Sequence, residues 1–141
     1  MEMDIRKLKE AAVDVRENAY VPYSQFKVGA AIMDANGHIH AGCNVENVAY
    51  GPTNCAERTA LFRAIADGEP RGSFRMLAVV ADTDQPVTPC GVCRQVLIEL
   101  CSPDMPVYMG NIHGAWTQST VSQLLPGAFG PEALERQVKI E

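Results

Sequence analysis

The sequence predicts an α/β domain built on a mixed five-stranded sheet with helices on its faces. Three observations predict it. Helix-like and strand-like segments follow the order αββαβαββ, alternating through the middle of the chain. Met76 to Ala81 is a continuous apolar run bounded by Asp82 and Pro86, the pattern of a strand buried on both sides. Ala35-Asn36-Gly37-His38 is a strong hairpin signal between two strand-like stretches.

Each element has its own reason. Ile5, Leu8, Ala12 and Val15 fall at helical spacing behind Asp4, which predicts a first helix capped by Asp4 and broken at Val21-Pro22-Tyr23. Phe26 to Met33 reads as a strand, and Ile39 to Asn44 as its hairpin partner. A polar loop containing Gly51-Pro52 ends at Asn54, a good N-cap residue. Cys55 to Asp67 then reads as an alanine-rich helix stopped by Gly68 and Pro70. Pro89 introduces a third helix over Gly91 to Cys101, with Val92, Val96, Leu97 and Leu100 as its apolar stripe. Pro106 to Met109 and Trp116 to Thr120 read as short strands. Helical turns are expected at Val121 to Leu125 and Pro131 to Arg136.

A length of 141 residues predicts one domain spanning 1–141. Hydrophobic residues at 47% and charged residues at 21% exclude wholesale disorder. No apolar run is long enough to cross a bilayer, so no membrane partner is expected. Met1-Glu2-Met3-Asp4 is not a basic-then-apolar leader, and a cytoplasmic protein is expected. The net charge of −5 disfavours nucleic acid as a partner, because phosphate neutralisation needs a basic surplus. It favours small molecules. Five cysteines in a chain of this kind point to metal binding or catalysis rather than to disulfides.

The chemistry concentrates in two short stretches. Cys90-Gly91-Val92-Cys93 puts two thiols on one side of a helix start, where the helix N-terminus favours thiolate. Cys55-Ala56-Glu57 opens another helix. On a regular helix Cys55 and Glu57 would point about 200° apart, so they share a site only if a metal lies beyond the helix end. The resulting picture is two helix N-termini facing one zinc ion held by Cys55, Cys90 and Cys93. Alone, the C-x-x-C pair also reads as a redox pair, half of a structural zinc site, or two core thiols. A structural site would need a fourth protein ligand. Cys101 is about 12 Å further along the helix and a poor choice. Spacing leaves Cys43, His38, His40 and His113 open.

Cys55-Ala56-Glu57-Arg58-Thr59-Ala60 together with Pro89-Cys90-Gly91-Val92-Cys93-Arg94-Gln95 resembles the small zinc-dependent cytidine deaminases of three-cysteine type. Val28-Gly29-Ala30-Ala31, Asn44-Val45-Glu46-Asn47 and Leu125-Pro126-Gly127-Ala128-Phe129 resemble the same family, so the likeness runs from about Tyr20 to Phe129. It implies a three-layer α/β/α fold and one zinc per chain. It implies hydrolytic deamination of cytidine and 2′-deoxycytidine to uridine and 2′-deoxyuridine plus ammonia, through a zinc-bound hydroxide, in pyrimidine salvage. A deaminase for another cytosine-bearing compound is the ranked alternative. The resemblance makes Glu57 the general base and later the acid. Asn44 and Glu46 would hold the ribose hydroxyls, Phe26 would stack on the nucleoside, and the Ala56 N–H would meet the ring O2. A homotetramer is implied, with Phe129 entering a neighbouring subunit's site. Three thiolates leave the zinc unit negative; Arg58, on the same helical side as Cys55, can donate to sulfur and withdraw charge, and Arg94 is a weaker candidate. Gly51-Pro52 departs from the family pattern and stiffens the approach to Cys55. Tyr50 reads as a packing or interface residue.

Overall fold

Residues 1–134 are described by the structure, a computed structural model. The elements are α1 (Glu2–Arg16), β1 (Val28–Met33), β2 (Ile39–Cys43), α2 (Ala56–Ala66), β3 (Met76–Ala81), α3 (Gly91–Leu100), β4 (Pro106–Asn111), β5 (Trp116–Thr120) and α4 (Val121–Leu124). Residues 131–134 are helical; the remainder of the turn expected to reach Arg136 lies outside the described residues. The sheet order is β2-β1-β3-β4-β5. β1 is antiparallel to both β2 and β3, β3 and β4 are parallel, and β5 closes the edge antiparallel to β4.

The predicted element order and mixed sheet are found; some caps and edges differ. The first helix begins at Glu2 with Met1 at its N-cap and no capping side chain. Asp4 lies inside the first turn, where a carboxylate still complements the exposed amides. β1 begins at Val28 rather than Phe26, because Gln25 turns the chain through the left-handed region at φ 58°. The second helix is capped by Cys55 instead of Asn54. Asn54 donates its side-chain amide to Thr59 Oγ1 at 3.0 Å.

Alternation along the strands makes the three layers. Ala31, Met33, Met76, Ala78 and Val80 pack with Leu8 and Ala12 of α1 on one face. Ala30, Ile32, Leu77, Val79 and Val107 pack with Ala60, Leu61 and Ala64 of α2 and Leu97 of α3 on the other. β3 is buried at every position. Gly42 fixes how closely β2 meets α2: a Cβ there would collide with the Ala60 nitrogen and the Thr59 carbonyl carbon. The start of α2 is thereby set directly on the sheet.

Topology decides where chemistry can collect. Since β2 and β3 are both antiparallel to β1, they run in the same direction. The chain leaves both at one end of the sheet and returns as α2 and α3, so both helix N-termini lie at that end. This is where α/β sheets bind ligands.

The C-terminal end of α2 lies at the opposite end of the sheet and carries a charge clamp. His40 Nε2 is 2.9 Å from Asp34 Oδ2, and its Nδ1 is 2.7 Å from Asp67 Oδ2. Asp34 is fully buried, and its Oδ1 also accepts the amides of Asn36 and His38. Exposed His38 and the Glu69 carboxylate complete the surroundings. Burial alone would lower the His40 pKa, but bonds to Asp34 and Asp67 outweigh it and raise it. Burial would raise Asp34; His40 and the two amides more than offset it, holding it at about 2. A raised histidine stabilises fully below its ordinary pKa, about 6.5, and loses that contribution as pH climbs through the folded value. Asp34 contributes above its ordinary 3.8 and loses this as pH falls through about 2. The thermal midpoint of His40→Gln should therefore lie well below wild type at pH 6, with the gap closing toward pH 9. A gap independent of pH would contradict the clamp.

Candidate active site and metal centre

Cys55 and Cys90 are the N-cap residues of α2 and α3, both with extended backbone, and Cys93 lies in the first turn of α3. The cap position resolves the angular conflict between Cys55 and Glu57, because Cys55 is outside the helix proper. The three sulfurs lie within 4.8 Å of one another, with Cys55 Sγ and Cys90 Sγ 3.7 Å apart. A disulfide would need about 2.05 Å. Tetrahedral zinc with Zn–S bonds of about 2.3 Å places its sulfurs about 3.8 Å apart. The sulfurs fit zinc.

Their acid–base chemistry also fits. A bond from Cys93 and another from Arg58 bring the Cys55 thiol down to about 5, although burial opposes this. The same contact with Cys55, reinforced by burial and by Glu57, pushes Cys93 upward. Three thiolates this close cannot all ionise without a cation among them, and a divalent ion replaces the protons they otherwise share. Among the described residues, no other Cys, His, Asp or Glu joins the trio. Cys43 and Cys101 are free thiols outside it, and burial holds Cys101 at about 12. His38 and His40 belong to the Asp34 cluster, and His113 pairs with Asp82 at 2.8 Å. A centre with three protein ligands keeps a position open for water, as catalytic zinc sites do.

Arg58 Nη2 donates to Cys55 Sγ at 3.1 Å. Burial works against the Arg58 charge, but Cys55 and Cys93 outweigh it and raise its pKa. Its Nε is buried and finds no acceptor among the described residues. Arg94 does not reach sulfur: its Nε donates to Pro89 O and its Nη1 to Leu124 O, both at 2.8 Å. Glu57, on the first turn of α2, is only 4% exposed, and burial raises its carboxyl to about 7. Its own backbone amide and Arg58 act downward, and Cys55 acts upward. Ala56 is fully buried as the first residue of α2, so its N–H has no intrahelical acceptor.

Asn44 and Glu46 both reach across to residues 23–28. Asn44 Oδ1 accepts the Val28 amide at 2.9 Å, and its Nδ2 donates to Phe26 O at 2.8 Å. Glu46 Oε1 accepts the amides of Tyr23 and Ser24, each at 3.1 Å, and its Oε2 accepts the Ser24 hydroxyl. These bonds hold the Glu46 carboxyl below its usual range, the Ser24 hydroxyl foremost. One Asn44 N–H and one Glu46 lone pair remain uncommitted. Glu46 lines a cleft of about 430 Å³ with Tyr23, Ser24, Asn47, Tyr50 and Thr53. Gly51-Pro52 forms the turn between Tyr50 and Thr53 at its rim. Phe26 is 42% exposed, Phe129 63% and Tyr50 88%. Sequence reasoning gave no role to Ser24 or Gln95. Ser24 carries no motif, and only the adjacent R-Q in the second stretch marked Gln95. Its Nε2 donates to Phe129 O at 2.7 Å.

The trio predicts a sharp contrast among cysteine variants. Cys55→Ala, Cys90→Ala and Cys93→Ala should purify with little or no zinc, whereas Cys43→Ala and Cys101→Ala should keep one zinc per chain. Metal analysis of the purified proteins checks it; metal loss in Cys43→Ala would place a fourth sulfur at the centre.

Residues 2–109 match the family model for the cytidine and deoxycytidylate deaminase zinc-binding region. A cytidine deaminase of Sporosarcina psychrophila is 56% identical over 132 residues, covering 94% of this chain and 96% of that relative. A cytidine deaminase of Halalkalibacterium halodurans is 55% identical over 130 residues, covering 92% and 97%. The crystal structure of a cytidine deaminase from Burkholderia pseudomallei superimposes with a TM-score of 0.86 at 52% identity, covering 88% of this chain and 98% of that one. The three-sulfur centre at two helix N-termini, the fold and these likenesses agree: the chain belongs to the cytidine and deoxycytidylate deaminase family and is a zinc-dependent hydrolase.

Proposed function

We propose that the protein deaminates cytidine and 2′-deoxycytidine hydrolytically, giving uridine and 2′-deoxyuridine plus ammonia, and serves pyrimidine salvage in the cytoplasm. The observation that carries this reading is a buried carboxyl, Glu57, beside three sulfurs of zinc-binding geometry. Zinc, when bound by Cys55, Cys90 and Cys93, supplies a Lewis acid at whose open position water loses a proton near neutrality. Glu57 accepts that proton as the water oxygen bonds to C4, and delivers it to N3. The remaining hydroxyl proton passes through Glu57 to the exocyclic amine, the C4–N bond breaks, and ammonia leaves. A carboxyl near neutrality suits both transfers. Burial, the largest cause of the upward shift, favours the protonated form, while a cation among the sulfurs favours the carboxylate, so the two act in opposite senses on Glu57.

Positioning falls to other residues. The unpaired Ala56 N–H at the α2 N-terminus is oriented to donate to O2. Asn44 and Glu46, with one donor and one acceptor uncommitted, meet the ribose hydroxyls, and Phe26 offers an aromatic face. Arg58 draws charge from Cys55. The working form is a homotetramer in which Phe129 enters a neighbouring site; exposed Val48, Tyr50 and Phe129 are large apolar surfaces that an isolated domain leaves wet. Five free thiols accord with a reducing cytoplasm, and no helix among the described residues is long and apolar enough to cross a membrane.

Two measurements test this. Glu57→Gln should keep zinc and fold yet lose at least about 10³-fold in kcat, since it removes the proton carrier. Near wild-type turnover would displace Glu57 from that role. Ammonia release should be fast with cytidine and deoxycytidine, and slow with cytosine and CMP. Cytosine leaves the Asn44 and Glu46 groups unpaired, and CMP brings phosphate toward the Glu46 carboxylate. Equal rates on cytidine and cytosine would remove the ribose contact; activity confined to CMP would make the enzyme a nucleotide deaminase.

A further inference from the structure

We infer that Gln95, supported by Arg94, is a positioning residue that presents Phe129 to the neighbouring subunit's site; this rests on the reading that Phe129 acts there. The two residues follow Cys93 on α3. Arg94 Nη1 holds the carbonyl of Leu124, the last residue of α4, at 2.8 Å. Gln95 Nε2 holds the carbonyl of Phe129 at 2.7 Å. Between these anchors the chain has no regular structure and turns at Gly127, whose φ of 64° belongs to the left-handed region. Among the described residues, these are the side-chain hydrogen bonds that reach the stretch from α3.

The geometry separates the two halves of Phe129. Its carbonyl is tied to α3, while the residue as a whole is 63% exposed and buries little of itself against its own subunit. An aromatic ring held outward on a fixed backbone loses little entropy when it docks, which is how preorganisation aids binding. Arg94 extends the tie to the metal centre, since its Nε holds Pro89 O immediately before Cys90. One turn of α3 thus carries a zinc ligand facing its own site and the two anchors of an aromatic side chain aimed elsewhere. Gln95 never touches substrate; it acts through Phe129, on the neighbour.

The test uses the intact zinc-loaded protein. Gln95→Leu removes the donor while keeping the bulk, and should leave zinc content and mass by light scattering, near four chains, unchanged. KM for cytidine should rise about three- to tenfold with kcat nearly constant, the scale of one hydrogen bond. Gln95→Lys, which restores a donor, should recover much of it. Phe129→Ala should raise KM at least as much, and adding Gln95→Leu to it should change nothing further. Mixed oligomers locate the effect. Chains carrying Gln95→Leu with intact Glu57, assembled with an excess of Glu57→Gln chains that retain Gln95, should regain the wild-type KM because the inactive chains supply Phe129. If Phe129→Ala leaves KM unchanged, or the protein is an active monomer, the shared-site reading itself fails. If Phe129→Ala raises KM but Gln95→Leu does not, or the two effects add in full, or mixing gives no rescue, Gln95 does not position Phe129 for a neighbour.

Discussion

Three thiolates within 5 Å of one another are tolerable only around a cation, and much of the molecule is arranged so that they meet. Two come from N-cap positions, where a side chain projects past the helix end. Two helix N-termini must therefore converge, and the sheet ensures it. Because β1 is antiparallel to both neighbours, β2 and β3 finish at the same end, and each hands the chain to the helix that carries a ligand. The Gly42 contact seats the start of α2 on the sheet, and buried β3 supplies the floor. The same direction rule sends the C-terminus of α2 away, so the His40 clamp fastens that helix at its far end without crowding the metal centre.

The element order and the sulfur trio were legible in sequence for different reasons. Strands and helices announced themselves by period and punctuation, as in the apolar run of β3 and the Asn36-Gly37 turn. The trio was legible because N-terminal helix positions and C-x-x-C spacing restrict where sulfurs can point. The caps misled. Asn54 and Asp4 are the residue types that intrinsic preference puts at an N-cap, yet Cys55 and Met1 occupy those positions. At Cys55, ligand geometry outranks the modest capping preference. Spacing could not sort the histidines, because proximity to the metal depends on which end of the sheet a residue occupies and on its local partners: His113, beyond β4, pairs with Asp82. His40 lies at the end remote from the metal.

Asn44 and Glu46, to which the proposed function gives the ribose, show why such residues are hard to separate from architecture. Each is already bonded to the stretch between α1 and β1, and each retains limited capacity. A residue that organises a loop and also meets a ligand is pre-ordered before the ligand arrives, so less entropy is lost on binding. The Ser24 hydroxyl contributes to this for Glu46: it bonds the carboxylate and, with the Tyr23 and Ser24 amides, lowers its pKa.

Charge explains how a three-thiolate centre can serve hydrolysis at all. Three thiolates around a divalent ion leave one negative charge in excess, and that excess opposes ionisation of water at the same ion. Under the proposed mechanism the correction must come from nearby without adding a ligand. Arg58 suits it: a guanidinium cannot give up its proton, and Nη2 lies 3.1 Å from Cys55 Sγ. The partial positive ends of α2 and α3 act in the same sense. The unpartnered, buried Arg58 Nε has a cost of its own, since a buried donor without an acceptor is destabilising. A lysine would bring equal charge, but on a flexible stem and as a readily deprotonated ammonium when buried, whereas the planar guanidinium stays charged and is preorganised for its bond to Cys55.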